Sequence, residues 1–202
     1  PNEFQKITPV NIGYTAGVET TLVSGEWLVA INQMDKLLVI SQHAKKVFEE
    51  SKYTQKLPSG EEYPLTATTS INVVSYPVKE VVPSPPLDLE ITTDFNFLCV
   101  AQFGPRKNLP QTINWFVEEF HDENVGLILK SNIVRNSLID REKLFLDIKK
   151  GLNQSFPDRK CKVYLLHGDL SENEIASLYC HPKINAFYML PHGEGFGLPL
   201  FE

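Results

Sequence analysis

Residues 97–120 read FLCVAQFGPRKNLPQTINWFVEEF, and the interpretation of this stretch decides the fold. FLCVAQF is an almost unbroken apolar run of strand length, the pattern of a strand covered on both faces. Beyond the GPRKN turn, Leu109, Ile113, Phe116, Val117 and Phe120 recur at helical spacing. Asn108 is placed to cap that helix, and Pro110 falls in its first turn, where a missing N–H costs nothing. A buried strand, a short turn and an amphipathic helix form the repeating unit of a parallel sheet.

The same alternation continues toward the C-terminus. VGLILK (125–130) reads as a strand, LIDREKLFLDIKKGLNQSF (138–156) as a helix and KVYLLH (162–167) as a strand. Ser171 and Glu174 form a capping box that opens the helix ENEIASLYC. INAFYML (184–190) is a further strand, followed by a glycine-rich turn and a helix start in GEGFGLPLFE. The expected class is therefore α/β, a Rossmann-like parallel sheet flanked by helices, with ligands at the carboxyl ends of its strands.

Toward the N-terminus the pattern is less regular. Ser24 is placed to cap a helix over 26–32, LLVIS (37–41) reads as a short buried strand, and Ser41 caps a helix over 42–51. From 53 to 93 the composition shifts toward Pro, Ser, Thr and Glu, and INVVSY (71–76) is the one strand expected there. VVPSPPLDLE, with three prolines, excludes a regular helix or a central strand and reads as a connector. Trp27 and Trp115 occupy helical apolar positions and are expected in the core. The division expected is 1–82, a connector at 83–94, and a second domain over 95–202.

Bulk properties narrow the function. With 42% hydrophobic and 22% charged residues the chain matches a soluble globular protein. A net charge of -6, from 25 acidic and 19 basic residues, argues against a broad nucleic-acid surface. Cys99, Cys161 and Cys180 lack metal-knuckle spacing, and the five histidines form no HExxH-like pattern. No apolar run approaches the ~20 residues of a membrane span, and a secretory signal pattern is absent from the start. A cytoplasmic location is the expectation, with peripheral membrane contact compatible with a longer protein.

Two loops carry the chemistry. In QFGPRKN, Arg106 and Lys107 stand just before a helix N-terminus, where backbone amides and the helix dipole favour an anion such as a diphosphate. In HGEGFGLPLFE, Gly193, Gly195 and Gly197 surround Glu194 and Phe196 directly after an apolar strand. Glycines there permit close backbone approach to a ligand, and carboxylates suit sugar hydroxyls because each accepts several hydrogen bonds. Taken singly, the first loop is equally compatible with a solvated surface, and a lone GxGF motif reads first as a glycine-rich turn with solvated glutamates.

HGEGFGLPLFE resembles the donor-site signature EGFGLPxxE of retaining GT-B glycosyltransferases, especially the large family 4. FLCVAQFGPRKNL resembles that family's VGRxxxRKN segment, and HGDLSENEIASLYCHPKINAFYMLPH its stretch leading to the donor loop. Residues 95–202 would then be the GT-B C-terminal donor domain, and 1–82 the C-terminal remnant of an acceptor domain. The resemblance implies a fragment, incomplete at both ends and inactive alone, of a hexosyl-type transferase. It implies a UDP-, GDP- or ADP-linked sugar donor, a glycan or lipid acceptor, retention at the anomeric carbon, and no metal or other cofactor. It assigns Glu194 to the transferred sugar as the catalytic-site carboxylate, Lys107 with Arg106 to the donor diphosphate, and Glu202 to the ribose. Gly193, Gly195, Phe196 and Gly197 would supply the donor loop. The chain departs from the family in Ala101-Gln102, where Gly-Arg is usual. No Asp-x-Asp occurs, as expected of this architecture. A non-catalytic sugar-nucleotide-binding module and a sugar-nucleotide epimerase of the same architecture are the competing readings; the lysine motif of a phosphorylase is missing.

Overall fold

The computed structural model describes residues 4–17 and 20–201. The chain divides into two compact units, the first ending at Pro77 and including Glu194–Gly197, the second spanning Val78–Gly193 and resuming at Leu198.

In the first unit, β1 (Ile12–Thr15), β2 (Lys36–Val39) and β5 (Ile71–Val73) form a parallel sheet in the order β1-β2-β5. The helices α1 (Gly25–Ile31) and α2 (Gln42–Glu50) supply Leu28, Ile31, Val47 and Phe48, which close on Leu37, Val39 and Ile71. Ser41 caps α2 as its sequence indicates, accepting the Ala44 N–H at 3.1 Å. Ser24 precedes α1 but makes no side-chain cap bond. Between α2 and β5 lies a feature not foreseen in the sequence, an antiparallel hairpin of β3 (Tyr53–Lys56) and β4 (Glu62–Leu65). Its turn uses Gly60 at a φ of 88°, a conformation that side-chain-bearing residues rarely adopt.

The second unit is a four-stranded, all-parallel sheet of β6 (Phe95–Val100), β7 (Val125–Lys130), β8 (Lys162–Leu166) and β9 (Ala186–Phe187). The strand order is β8-β7-β6-β9. Helices α3 (Leu109–Glu119), α4 (Leu138–Ser155) and α5 (Glu172–Tyr179) make the crossovers. Side chains alternate between faces with the strand period of two. Cys99, Leu127 and Leu129 pack with Leu109, Ile113, Phe116 and Val117 of α3 and Leu152 of α4, whereas Leu98 and Ile128 face Leu178 of α5. Both faces are therefore covered, which explains why these strands read as continuous apolar runs. The capping box at Ser171 and Glu174 is formed in full.

The proline-rich stretch is bonded to the second unit. Ser84 N–H donates to the Asn173 carbonyl at 3.1 Å, the Ser177 hydroxyl donates to the Ser84 carbonyl at 2.7 Å, and the His181 ring meets the Leu87 carbonyl at 3.0 Å. Two expectations are corrected. Trp115 is 43% exposed, on the outward side of α3, because Phe97, Phe116, Phe120 and Tyr188 already fill the aromatic cluster beneath that helix. Asn108 precedes α3 but does not cap it through its side chain, which is used elsewhere.

Candidate functional site

The order β8-β7-β6-β9 reverses direction at β6: the chain winds outward through β7 and β8, then returns to add β9 on the other side. Loops leaving the carboxyl ends of two strands at such a reversal diverge to opposite faces and leave a crevice. The strands that flank it are β6 and β9, paired through Phe97↔Ala186 and Leu98↔Phe187. The two loops singled out in the sequence are the ones that leave these strands.

Hydrogen bonds tie those loops together. The Tyr188 N–H donates to the Leu98 carbonyl at 2.8 Å, extending the ladder past β9. The Asn108 amide then donates to the Leu190 carbonyl at 3.1 Å, and the His192 N–H to the Arg106 carbonyl at 2.9 Å. The Arg106 guanidinium donates to the Gly193 carbonyl at 2.8 Å. Asn108 holds a left-handed conformation, φ 52°, immediately after the helical turn Pro105–Lys107. Asparagine tolerates that region better than most side chains, and here the turn aims its amide at the neighbouring loop.

Beside this junction a cavity of about 320 Å³ opens, lined by Ala101, Gln102, Lys107, Lys130, Ser131 and Asn132 among others. Lys107 is half-buried in its wall. Lys130, at the end of β7, donates to the Gly168 carbonyl at 2.5 Å. Burial pushes its ammonium below the ordinary lysine value, with the Asp169 carboxylate pulling the other way. Ser131 is 4% exposed, and its hydroxyl has no hydrogen-bond partner among the described residues. Two lysines and an unsatisfied hydroxyl suit an anionic, oxygen-rich ligand. Lys130 and Ser131 were not singled out from the sequence; the signal available was a lysine ending an otherwise apolar strand. A second cavity of about 590 Å³ lies in the first unit between α1 and the hairpin, with Gly25, Val29, Tyr53 and Leu65 in its wall. It is larger, but its lining contains no cation among the described residues.

Of the residues named from the sequence, Arg106, Lys107 and Gly193 come together at this junction. Glu194, Gly195, Phe196 and Gly197 are grouped with the first unit, where Phe196 stands edge-on to Tyr76 with ring centroids 5.5 Å apart. Gly197 is buried with a φ of 74°. Glu202 lies outside the described residues. Gln102 donates to the Ile133 carbonyl at 2.9 Å. Cys99 is buried, and that burial pushes its thiol up to about 12, which disfavours the thiolate. Among the described residues, no group of three or more His, Cys, Asp or Glu could hold a metal ion, and no helix is long and apolar enough to cross a membrane.

No family model matches the chain, and no curated protein does. Solved structures do share its fold. One is described as trehalose-6-phosphate from E. coli bound with UDP-2-fluoro glucose (TM-score 0.56, 10% identity), over 91% of this chain and 47% of that one. A trehalose-6-phosphate synthase studied with bisubstrate glycomimetics matches at TM-score 0.57 and 11% identity, over 94% of this chain and 49% of that one. The UDP-forming α,α-trehalose-phosphate synthase of Burkholderia xenovorans, in complex with glucose-6-phosphate, matches at TM-score 0.52 and 14% identity, over 86% and 44%. The chain thus has the fold of parts of GT-B glycosyltransferases and spans slightly less than half their length.

Proposed function

We propose that this chain is the part of a retaining glycosyltransferase that binds the nucleotide-sugar donor. One observation carries the reading: the two loops at the β6/β9 reversal are hydrogen-bonded to each other beside a cavity holding Lys107 and Lys130. In this reading the donor diphosphate lies against Lys107, and Lys130 supplies the second cation that Gln102 does not. A phosphate would relieve the cost of holding the Lys130 ammonium in a partly buried site, and the Ser131 hydroxyl would gain its missing partner.

Glu194 holds hydroxyls of the transferred hexose, the Gly195–Phe196–Gly197 backbone supplies amides, and Glu202 bonds the ribose, as the resemblance to family 4 implies. As the glycosidic bond breaks, charge builds on the departing nucleoside diphosphate. Cations and amides already in place stabilise it without reorganisation, so the lysines lower the barrier directly. A metal is not needed in this account. The acceptor in this reading is a glycan, a lipid or a sugar phosphate, and none of the residues named above is assigned to it.

The test is thermal melting of the 202-residue chain with UDP, GDP and ADP, and with the matching nucleotide sugars, in EDTA. UDP comes first, because a structural neighbour carries UDP-2-fluoro glucose. A ligand at a hundred times its dissociation constant adds about 2.7 kcal/mol of stability. A rise in Tm with one base, lost in Lys107→Ala, is the expected result; no rise with any of them removes the donor-site reading.

A further inference from the structure

The segment 131–137 leaves the end of β7, forms part of the cavity wall and enters α4. It contains no regular structure, and a connection of this kind is ordinarily among the most mobile parts of a domain. Here it is held from both sides. On the cavity side, the Phe103 N–H donates to the Asn132 carbonyl at 2.7 Å and the Gln102 amide to the Ile133 carbonyl. On the opposite side stands a single carboxylate. Asp140, in the first turn of α4, accepts three consecutive backbone N–H groups, from Ile133 at 2.9 Å, Val134 at 2.8 Å and Arg135 at 3.1 Å. The His167 ring donates to the same carboxylate at 3.0 Å. The side chains of His167 and Asp140 are only 2% and 8% exposed.

We infer that Asp140 is a positioning residue for the Lys107–Lys130 cavity. Four donors converge on the carboxylate of a residue that is not itself in the cavity lining, and each belongs to a segment that shapes the cavity. Three belong to the wall bearing Asn132 and Asn136. The fourth is His167, whose neighbour Gly168 offers the carbonyl that anchors the Lys130 ammonium. Fixing the ring fixes that carbonyl and the lysine with it. The charge is essential to the arrangement, because an ionised carboxylate accepts on both oxygens and an amide only on one. An asparagine at this position would turn an N–H₂ toward backbone N–H groups that need an acceptor. The ligand readout rests on the donor-site reading above, whereas the state of the wall does not.

The experiment compares the 202-residue chain with Asp140→Asn and with Leu152→Ala, a cavity-forming change near the far end of α4. Amide hydrogen exchange is resolved by residue, and UDP, GDP and ADP are titrated below the melting transition of every variant. In Asp140→Asn, exchange at Ile133, Val134 and Arg135 is expected to quicken at least 100-fold while Leu127 to Leu129 stay protected. The Kd of the nucleotide that the parent binds is expected to rise at least tenfold. Leu152→Ala should lower Tm without moving that Kd. Unchanged exchange at 133–135 overturns the inference. So does an unchanged Kd, or an equal loss of affinity in Leu152→Ala, which would make the effect one of stability alone. If the parent binds none of the three nucleotides, the donor-site reading fails, and exchange at 133–135 alone then decides for or against Asp140. Should Asp140→Asn not fold, Asp140→Glu, which keeps the charge but shifts it by one methylene, is read by the same criteria, with a smaller rise in Kd expected.

Discussion

The loops that leave β6 and β7 are neighbours in one sheet, yet they are built on different principles. The β6 loop is organised from within: a helical turn, a left-handed Asn108 and the Arg106 guanidinium fasten it to the loop beyond β9. The β7 loop is organised from outside, by bonds from Gln102 and Phe103 on one side and by one carboxylate at the start of the following helix on the other. The first places a cation, Lys107, in the cavity by the shape of its own backbone. The second places Lys130, Ser131 and Asn132 by borrowing rigidity from α4 and β8. A site made from both kinds of loop should respond to mutation in two distinct ways.

The largest effect is expected where a side chain meets the ligand. Lys107→Ala should weaken nucleotide binding by about 2–3 kcal/mol, roughly 30- to 150-fold, with little change in Tm, as titration calorimetry and melting would show. The internal frame of the β6 loop is tested next by a pair at Asn108. Asn108→Ala combines the strain of a left-handed alanine with the lost bond to Leu190, a destabilisation of about 2 kcal/mol in denaturant titration. Asn108→Gly loses the bond but not the conformation, so about 1 kcal/mol or less is expected. Equal losses in the two variants would show that backbone shape does not govern this loop.

A third expectation concerns acid. Burial works to raise the Asp140 carboxyl, but the N–H groups of Ile133 and Val134, the His167 ring and the Arg135 N–H together hold it well below the usual carboxylate range. A depressed folded-state value means that this stabilisation is fully present above the unfolded value, about 3.9, and is lost as pH falls below it. Asp140→Asn should therefore be the less stable protein at neutral pH. Its stability should fall less steeply than the parent's below about pH 4, measured by denaturant titration across that range. The smallest effect belongs to Ser131→Ala. Its hydroxyl has no partner to lose among the described residues, so stability should change by less than about 0.5 kcal/mol or rise slightly. Affinity for the nucleotide should nevertheless fall, because the ligand then loses that hydroxyl.

The same contrast explains what could be read before the structure was known. The strand-loop-helix pattern over 97–120 and the cations of GPRKN are contiguous, so periodicity and turn chemistry expose them directly. The alternation of apolar strands and helices over 95–187 appears because burial on both sheet faces writes itself into every strand. The Asp140 arrangement joins residues 133–135, 140 and 167, and nothing local marks an aspartate in the first turn of a helix as more than a favourable helix charge. Lys130 was hidden for a related reason: a lysine ending a strand is ordinary until the fold sets it beside Lys107. The β3–β4 hairpin escaped because its strands are short and polar and Pro64 interrupts one of them. Trp115 misled because helical spacing identifies an apolar face only while there is room beneath it.

The central claim is that nucleotide binds at the β6/β9 reversal and not in the roomier cavity of the first unit. Titrating the isotopically labelled chain with UDP, GDP and ADP, while following each backbone amide by NMR, tests it most directly. For the nucleotide that binds, the account predicts shifts concentrated at 101–108, 130–132 and 190–193. Shifts centred on Gly25, Val29, Tyr53 and Leu65, or no saturable shift with any of the three, would contradict it.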